Sequence, residues 1–181
     1  MKSKKGMQLS INFIVILIIA IAVFGFGITF VGKFFEGASQ LKENLDADTE
    51  KRIESLLNTG EQVAIPINSK TIEIGKSDVF GVGVLNVLGS TQEFKINIVC
   101  TSAFGKGNED LKSLCLNPEE QGWVFNNQVS ATIPNNEQEV FPILFQVPQG
   151  TKSGTYIFTI TVVDESDKIY DVPRKIYVKT N

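Results

Sequence analysis

The sequence from Ile11 to Val31 reads INFIVILIIAIAVFGFGITFV and is an almost continuous apolar run. From Phe13 onward it extends for about 19 residues, which is the length that a helix needs to cross a hydrocarbon layer of about 30 Å. A helix buried in a soluble domain would show a polar face, and this segment shows none. We therefore predict a membrane-spanning helix. A cleaved secretory signal is the alternative, but its apolar region is shorter and ends in small residues.

Basic residues before the apolar run predict its orientation. Lys2, Lys4 and Lys5 lie just before it, and only Lys33 lies close on the other side. Cytoplasmic flanks of membrane helices carry an excess of lysine and arginine. The N-terminus is therefore expected in the cytoplasm, and the remainder of the chain outside.

The composition argues against several classes of function. The chain has 181 residues and a formal net charge of -3, whereas a nucleic-acid partner requires a basic surface. Histidine is absent from the sequence, which removes the usual general base and the commonest metal ligand. We therefore expect no enzyme, no cofactor and no metal site.

The residues around the start of the apolar run resemble archaeal type IV pilin-like proteins with class III signal peptides. A basic leader ends at a small residue, and the family pattern Gln-x-Ser-x-Glu-x-x-x-Leu follows it. The residues that carry the resemblance are Lys4, Lys5, Gly6, Gln8, Ser10 and Ile16. Asn12 stands at the position of the family's glutamate, so it supplies no charge to pair with the N-terminal amine of a neighbouring subunit.

The resemblance implies how this part of the chain is used. A prepilin-type signal peptidase would cut after Gly6 or after Met7, and the apolar segment would remain as the packed core of a filament. Gly25 and Gly27 would allow neighbouring helices to approach closely. A plain single-pass anchor that is never processed is the alternative.

Beyond the apolar run, a helical pattern continues to about Leu57. Apolar or small residues recur in steps of three and four and define one stripe of a helix. They are Phe34, Ala38, Leu41, Leu45, Thr49, Ile53 and Leu56. Gly60 is a suitable helix stop. We therefore predict one continuous helix from about Ile11 to Leu57, some ~70 Å long.

From Gln62 onward the hydrophobic period changes to two, which is typical of half-buried strands. In residues 93–100 the apolar side chains alternate with mostly polar ones. Gly81 and Gly83 lie in a strand where they leave room for a close neighbour or a bulge, and Pro142 suggests a sheet edge or bulge. Seven or more short strands predict an antiparallel sandwich. The run from Val147 to Tyr156 resembles the late hairpin of immunoglobulin-like surface domains of bacteria and archaea.

Cys100 and Cys115 are the two cysteines of the chain. Outside the membrane they are expected to form a disulfide, worth about 3 kcal/mol; two free buried thiols, or a metal or redox role, are the alternatives. The bridge would hold an insertion that carries Trp123, which is our candidate for a partner surface. The alternative is that Trp123 only caps the core.

The predicted fold class is α+β, with a long membrane-spanning and amphipathic N-terminal helix followed by an all-β immunoglobulin-like sandwich. The expected segments are a leader (1–6), an assembly helix (7–31), an amphipathic extension (32–60) and an ectodomain (61–181). The predicted function is a structural subunit of an archaeal type IV pilus-like surface filament that self-assembles through its N-terminal helix. The alternative is a membrane-anchored sandwich, outside any filament, that binds an S-layer or archaellum component.

Overall fold

The computed structural model describes residues 15–20, 45–125 and 128–181. The chain divides into two compact units, Met1–Gln40 and Leu41–Asn181. In the first unit, residues 15–20 are helical and exposed. The second unit carries the strands, which are described below.

The predicted continuous helix from Ile11 to Leu57 is wrong. Residues 45 and 46 are not helical, and helix α1 (Ala47–Asn58) begins after Asp46, whose φ of -54° and ψ of 128° lie outside the helical region. The Asp46 carboxylate accepts a hydrogen bond from the backbone N–H of Asp48 at 3.3 Å, so it caps the helix. The acidic Asp48 and Glu50 in the first turn further stabilise a helix start at this point.

The predicted fold class changes accordingly. None of the helices within residues 15–20, 45–125 and 128–181 has the length and apolar character needed to cross a membrane. The described chain is mostly β, with short helical segments, instead of a long helix followed by a sandwich. The remaining parts of the predicted leader, assembly helix and amphipathic extension, at 1–14 and 21–44, lie outside the described residues.

Among the described residues of the second unit, eight strands form two sheets. The strands are β1 (Val63–Ala64), β2 (Ser69–Thr71), β3 (Ser77–Leu85), β4 (Gln92–Gly105), β5 (Gln128–Ile133), β6 (Gln138–Gln146), β7 (Gly154–Val163) and β8 (Arg174–Thr180). The three-stranded sheet has the order β1-β3-β6, and the five-stranded sheet has the order β2-β8-β7-β4-β5. Neighbouring strands of the described chain are antiparallel, except that β2 runs parallel to β8 with Ser69 opposite Tyr177.

The two sheets enclose one main apolar core. The predicted alternation in β4 is confirmed, since Phe94, Ile96 and Ile98 are at most 1% exposed. Across the core, the ring of Phe145 on β6 lies 4.9 Å from that of Phe158 on β7. Burying side chains of this size stabilises the fold by roughly 1.5–3 kcal/mol each.

Helix α1 covers the outer face of the three-stranded sheet. Its buried residues Thr49, Ile53 and Leu57 recur every four positions and so lie on one side of the helix. Together with sheet residues they form a second apolar cluster, made of Leu45, Ile53, Leu57, Ala64, Val79 and Val140. The three-stranded sheet is therefore buried on both faces, which explains the run of six buried residues in β3.

Glycine and proline take the positions that the sequence suggested. A Cβ on Gly81 would lie 2.7 Å from Cδ1 of Ile53, so the glycines of β3 make room for α1. Pro142 lies opposite Gly81 on β6, which is an edge strand of its sheet. Both expectations are confirmed.

Candidate functional site

The residues predicted for processing and assembly lie outside the described chain. They are Lys4, Lys5, Gly6, Gln8, Ser10, Asn12, Gly25 and Gly27. The candidate site that the structure describes is therefore the insertion between β4 and β5, residues 106–125, which we call the β4–β5 insertion.

A disulfide joins this insertion to the sandwich. It links Cys100 in β4 with Cys115, which follows a short 3-10 turn, and their Cα atoms are 5.7 Å apart. Both cysteines are buried. The 15-residue separation corresponds to about 3 kcal/mol of loop-closure entropy removed from the unfolded chain.

The backbone of the insertion also pairs with the end of β4. Leu111 donates its N–H to the carbonyl of Ala103 at 2.9 Å, and Gly105 donates to the carbonyl of Glu109 at 2.9 Å. Strand β5 pairs with β4 only from Gln92 to Asn97. The insertion therefore lies along the part of β4 that β5 leaves open.

Trp123 does not form a partner surface, contrary to the prediction. Its side chain is 0% exposed, and its ring lies 4.3 Å from that of Tyr156 and 5.5 Å from that of Phe158. The indole N–H donates to the carbonyl of Leu114 at 2.7 Å. Because a buried indole needs both an apolar surface and an acceptor, Trp123 fixes the insertion to the core instead of facing solvent.

Tyr156 connects the core to Lys152 in the connection between β6 and β7. Its hydroxyl donates to the carbonyl of Lys152 at 2.9 Å. Burial raises the pKa of Tyr156, and the negative charge of Glu109 raises it further. Glu109 also pairs with Lys152 at 2.6 Å, but both side chains are half exposed and the pair adds little stability.

The exposed part of the insertion carries apolar side chains. Leu116 is 55% exposed, Phe125 is 74% exposed and Leu114 is 37% exposed. Glu119 and Glu120 are exposed beside them in the chain. These exposed side chains are available for contact with a partner, whereas the buried Trp123 can act only through their placement.

A buried polar side chain, Asn86, forms hydrogen bonds at the opposite end of β4, and the sequence analysis did not predict it. Asn86 is 0% exposed, and its side-chain amide donates to the carbonyls of Ser90 at 2.8 Å and Ile133 at 2.7 Å. Its side-chain oxygen accepts the N–H of Leu88 at 3.0 Å. This amide joins the β3–β4 connection to the end of β5; an asparagine within an apolar stretch was the available signal.

Tyr170 reinforces this end of the sandwich. Its hydroxyl donates to the carbonyl of Leu85 at 2.5 Å and accepts the N–H of Val87 at 3.2 Å. Its ring lies 4.7 Å from that of Phe94. Burial raises the pKa of Tyr170, with the N–H of Val87 acting in the opposite direction.

The acidic loop residues form local contacts. Asp164 accepts the N–H groups of Ser166 and Lys168 at 2.9 and 3.0 Å, which closes its turn. Asp167 lies 3.6 Å from the ammonium of Lys95. Across the described ranges, histidine, cysteine, aspartate and glutamate side chains form no group of three that could hold a metal ion.

The fold defines the described part of this chain as a β-sandwich of two sheets. Neither a protein-family profile nor a curated protein matches the sequence. Among solved structures, the chain is similar to the PapD-like domain 7 of human CEP192, with a TM-score of 0.41 and 11% identity over 66% of this chain and 84% of that one. It is also similar to the class 5 fimbriae chaperone CfaA, with a TM-score of 0.41 and 15% identity over 65% of this chain and 55% of that one.

A third similar structure is a family 123 glycoside hydrolase from Clostridium perfringens, with a TM-score of 0.44 and 10% identity over 73% of this chain. The chain spans 25% of that hydrolase and 55% of the chaperone.

Proposed function

We propose that this chain is a structural subunit of an archaeal type IV pilus-like surface filament, with the β-sandwich as its displayed head. The observation that carries the proposal is the exposure of residues 15–20. These residues read VILIIA and are helical, and Val15 to Ile19 are each 47–65% exposed. A helical segment that is apolar on all sides needs a cover.

Neighbouring copies of the same segment supply that cover in this proposal. A packed bundle of such segments removes apolar surface from water at roughly 25 cal/mol per Å². The leader residues Lys4, Lys5 and Gly6 support this use of the segment through their resemblance to pilin-like proteins. A prepilin-type signal peptidase would therefore be the first partner that the chain meets.

The disulfide between Cys100 and Cys115 supports a head outside the cytoplasm. Disulfides form and persist in oxidising compartments and are rare where thiols are kept reduced. In this proposal the sandwich is a non-catalytic module that contacts other copies and components of the cell envelope, such as an S-layer.

The processing of the leader tests this proposal. The full chain is expressed in an archaeal host together with a prepilin-type peptidase, and the mature protein is measured by intact mass spectrometry. We expect a mature N-terminus at Met7 or Gln8, and filaments in electron micrographs of the cell surface. Gly6→Val should abolish both the cleavage and the filaments, whereas Ser3→Ala, in the same leader, should preserve both.

An uncleaved chain without filaments would overturn the proposal. The protein would then be a β-sandwich outside any filament that binds another envelope component. Pull-down of S-layer or archaellum proteins by the full chain would identify that component.

A further inference from the structure

Of the four edge strands in the described part of the sandwich, three carry features that prevent further strand pairing. β1 has two residues, and β2 has three, with Lys70 in the middle. β6 is longer but contains Pro142, which has no N–H to donate. Short edges, lysine and proline are the usual means by which proteins block an open edge.

The fourth edge strand, β5, has none of these features. Its sequence from Gln128 to Ile133 is QVSATI, with six residues, no charge and no proline. It pairs with β4 and ends the five-stranded sheet; within the part of the chain that the structure describes, no strand lies on its other side. Its alternate residues direct N–H and C=O groups toward that open side.

The side chains of β5 also suit a further strand. Ser130 and Thr132 are exposed on the outer face, whereas Val129 and Ala131 are only partly buried at the margin of the core. A strand alongside β5 would complete the burial of these two apolar side chains. It would place its own hydroxyl or apolar side chains beside Ser130 and Thr132.

We propose that β5 pairs in antiparallel fashion with β5 of a second copy of this chain, about a twofold axis. In such a contact each strand meets its own sequence, so a charged residue would approach an identical charge. β5 contains none. A partner recognised by charge would instead require an opposite charge on this strand.

The sequence of β5 also selects the register. Inward-facing and outward-facing side chains of the two copies stay on the same faces only if the numbers of two opposed residues add up to an even number. Pairing Ala131 with itself meets this condition and engages all residues from Val129 to Ile133. Ser130 then lies opposite Thr132 of the second copy. On β4, Lys95 lies beside Ser130 and Glu93 beside Thr132. A line of opposed residues across the dimer therefore begins at Lys95 of one copy, passes through Ser130 and the second copy's Thr132, and ends at the second copy's Glu93.

This inference goes beyond the proposed filament function, because it concerns contacts between sandwiches and holds whether or not the N-terminal segment assembles. Cysteine cross-linking of the full chain tests it. Under mild oxidation, Ala131→Cys should yield a disulfide-linked dimer on non-reducing gels, since directly opposed strand residues have Cα atoms within disulfide range. Thr71→Cys, exposed on the opposite edge strand of the same sheet, should remain monomeric on the same gels.

A charge variant provides the second measurement. Ser130→Lys should weaken association at least about tenfold in sedimentation experiments, whereas Ser69→Lys on β2 should not. Both serines are exposed, and the fluorescence of Trp123 verifies that the variants are folded. Equal cross-linking at positions 131 and 71, or unchanged association of Ser130→Lys, would overturn the proposal, and neither readout depends on processing of the leader.

Discussion

Ile53 of α1 lies directly against Gly83 of β3. A Cβ on Gly83 would overlap the Cγ2 methyl of Ile53 and lie 2.9 Å from Cδ1 of Leu57. The helix therefore rests on the backbone of the sheet, and side chains larger than hydrogen at this position would push it away.

Gly83→Ala should destabilise the second unit because α1 has to shift to admit the methyl group. Overpacking of this kind costs about 1–3 kcal/mol. The loss is measured by urea unfolding, monitored through the fluorescence of Trp123, the single tryptophan of the chain. In an Ile53→Ala background the methyl group has room, so Gly83→Ala should then cost much less. Equal costs in the two backgrounds would contradict the close contact.

Removing the disulfide should lower the free energy of unfolding without abolishing the fold. Cys100→Ala together with Cys115→Ala should lose about 3 kcal/mol, because the unfolded chain regains the freedom of a 15-residue loop. The measurement is the shift in the urea midpoint. Reduction of the unmodified chain should give a similar shift and leave the double variant unchanged; a reductant effect on that variant would show that the bridge is not the cause.

Asn86→Ala should lower the free energy of unfolding more than substitutions in turn regions usually do. The substitution leaves the carbonyls of Ser90 and Ile133 without their donor. The buried carbonyl of Ile133 alone costs about 1–3 kcal/mol when it is unsatisfied. Asn135→Ala is the matched control, because Asn135 accepts one exposed hydrogen bond from Gly89 at 2.8 Å. Thermal unfolding should separate the two variants clearly, and similar melting temperatures would show that the Asn86 amide is not essential.

Alkaline pH should destabilise the sandwich through the buried Tyr156 and the partly buried Tyr170. Burial raises the pKa of both Tyr156 and Tyr170 in the folded chain. As pH rises above about 10, the unfolded chain loses these protons first, so the free energy of unfolding falls until the folded pKa is passed. Below that range the contribution is fully present.

The corresponding measurement is the urea midpoint between about pH 8 and pH 11. Replacing Tyr156 and Tyr170 together by phenylalanine should lower stability at pH 8, because three hydrogen bonds are lost. The same double variant should show a shallower decline above pH 10. An unchanged slope would mean that other groups control the alkaline transition.

Local pattern was sufficient to predict the strands but not all of their partners. The alternation around Phe94 and Ile96 marks one buried face whatever lies opposite, so it could be read directly. The parallel pairing of β2 with β8 joins segments far apart in sequence, and no short-range period encodes it. The glycines of β3 indicated a close neighbour, although only the structure identifies it as α1.

The helix start at Asp46 was missed for a different reason. The apolar stripe through Leu45, Thr49 and Ile53 continues smoothly across the cap, since Leu45 also packs against the sheet. Asp46 followed by Asp48 and Glu50 was the contrary signal, and it favours a helix beginning over a helix interior. Trp123 was predicted at a partner surface because a tryptophan in a long loop is often exposed for binding. The structure buries it because the Leu114 carbonyl accepts its indole N–H.

The position of β8 has a consequence for biosynthesis. Residues 174–180 form β8, which lies between β2 and β7. Both of these strands therefore need β8 before their pairing is complete. The five-stranded sheet cannot close while a ribosome still holds these residues, and nascent chains would carry β2 unpaired until translation reaches them. The five-stranded sheet is therefore expected to close only after residues 174–180 have left the ribosome, and until then chaperones can engage the open edge.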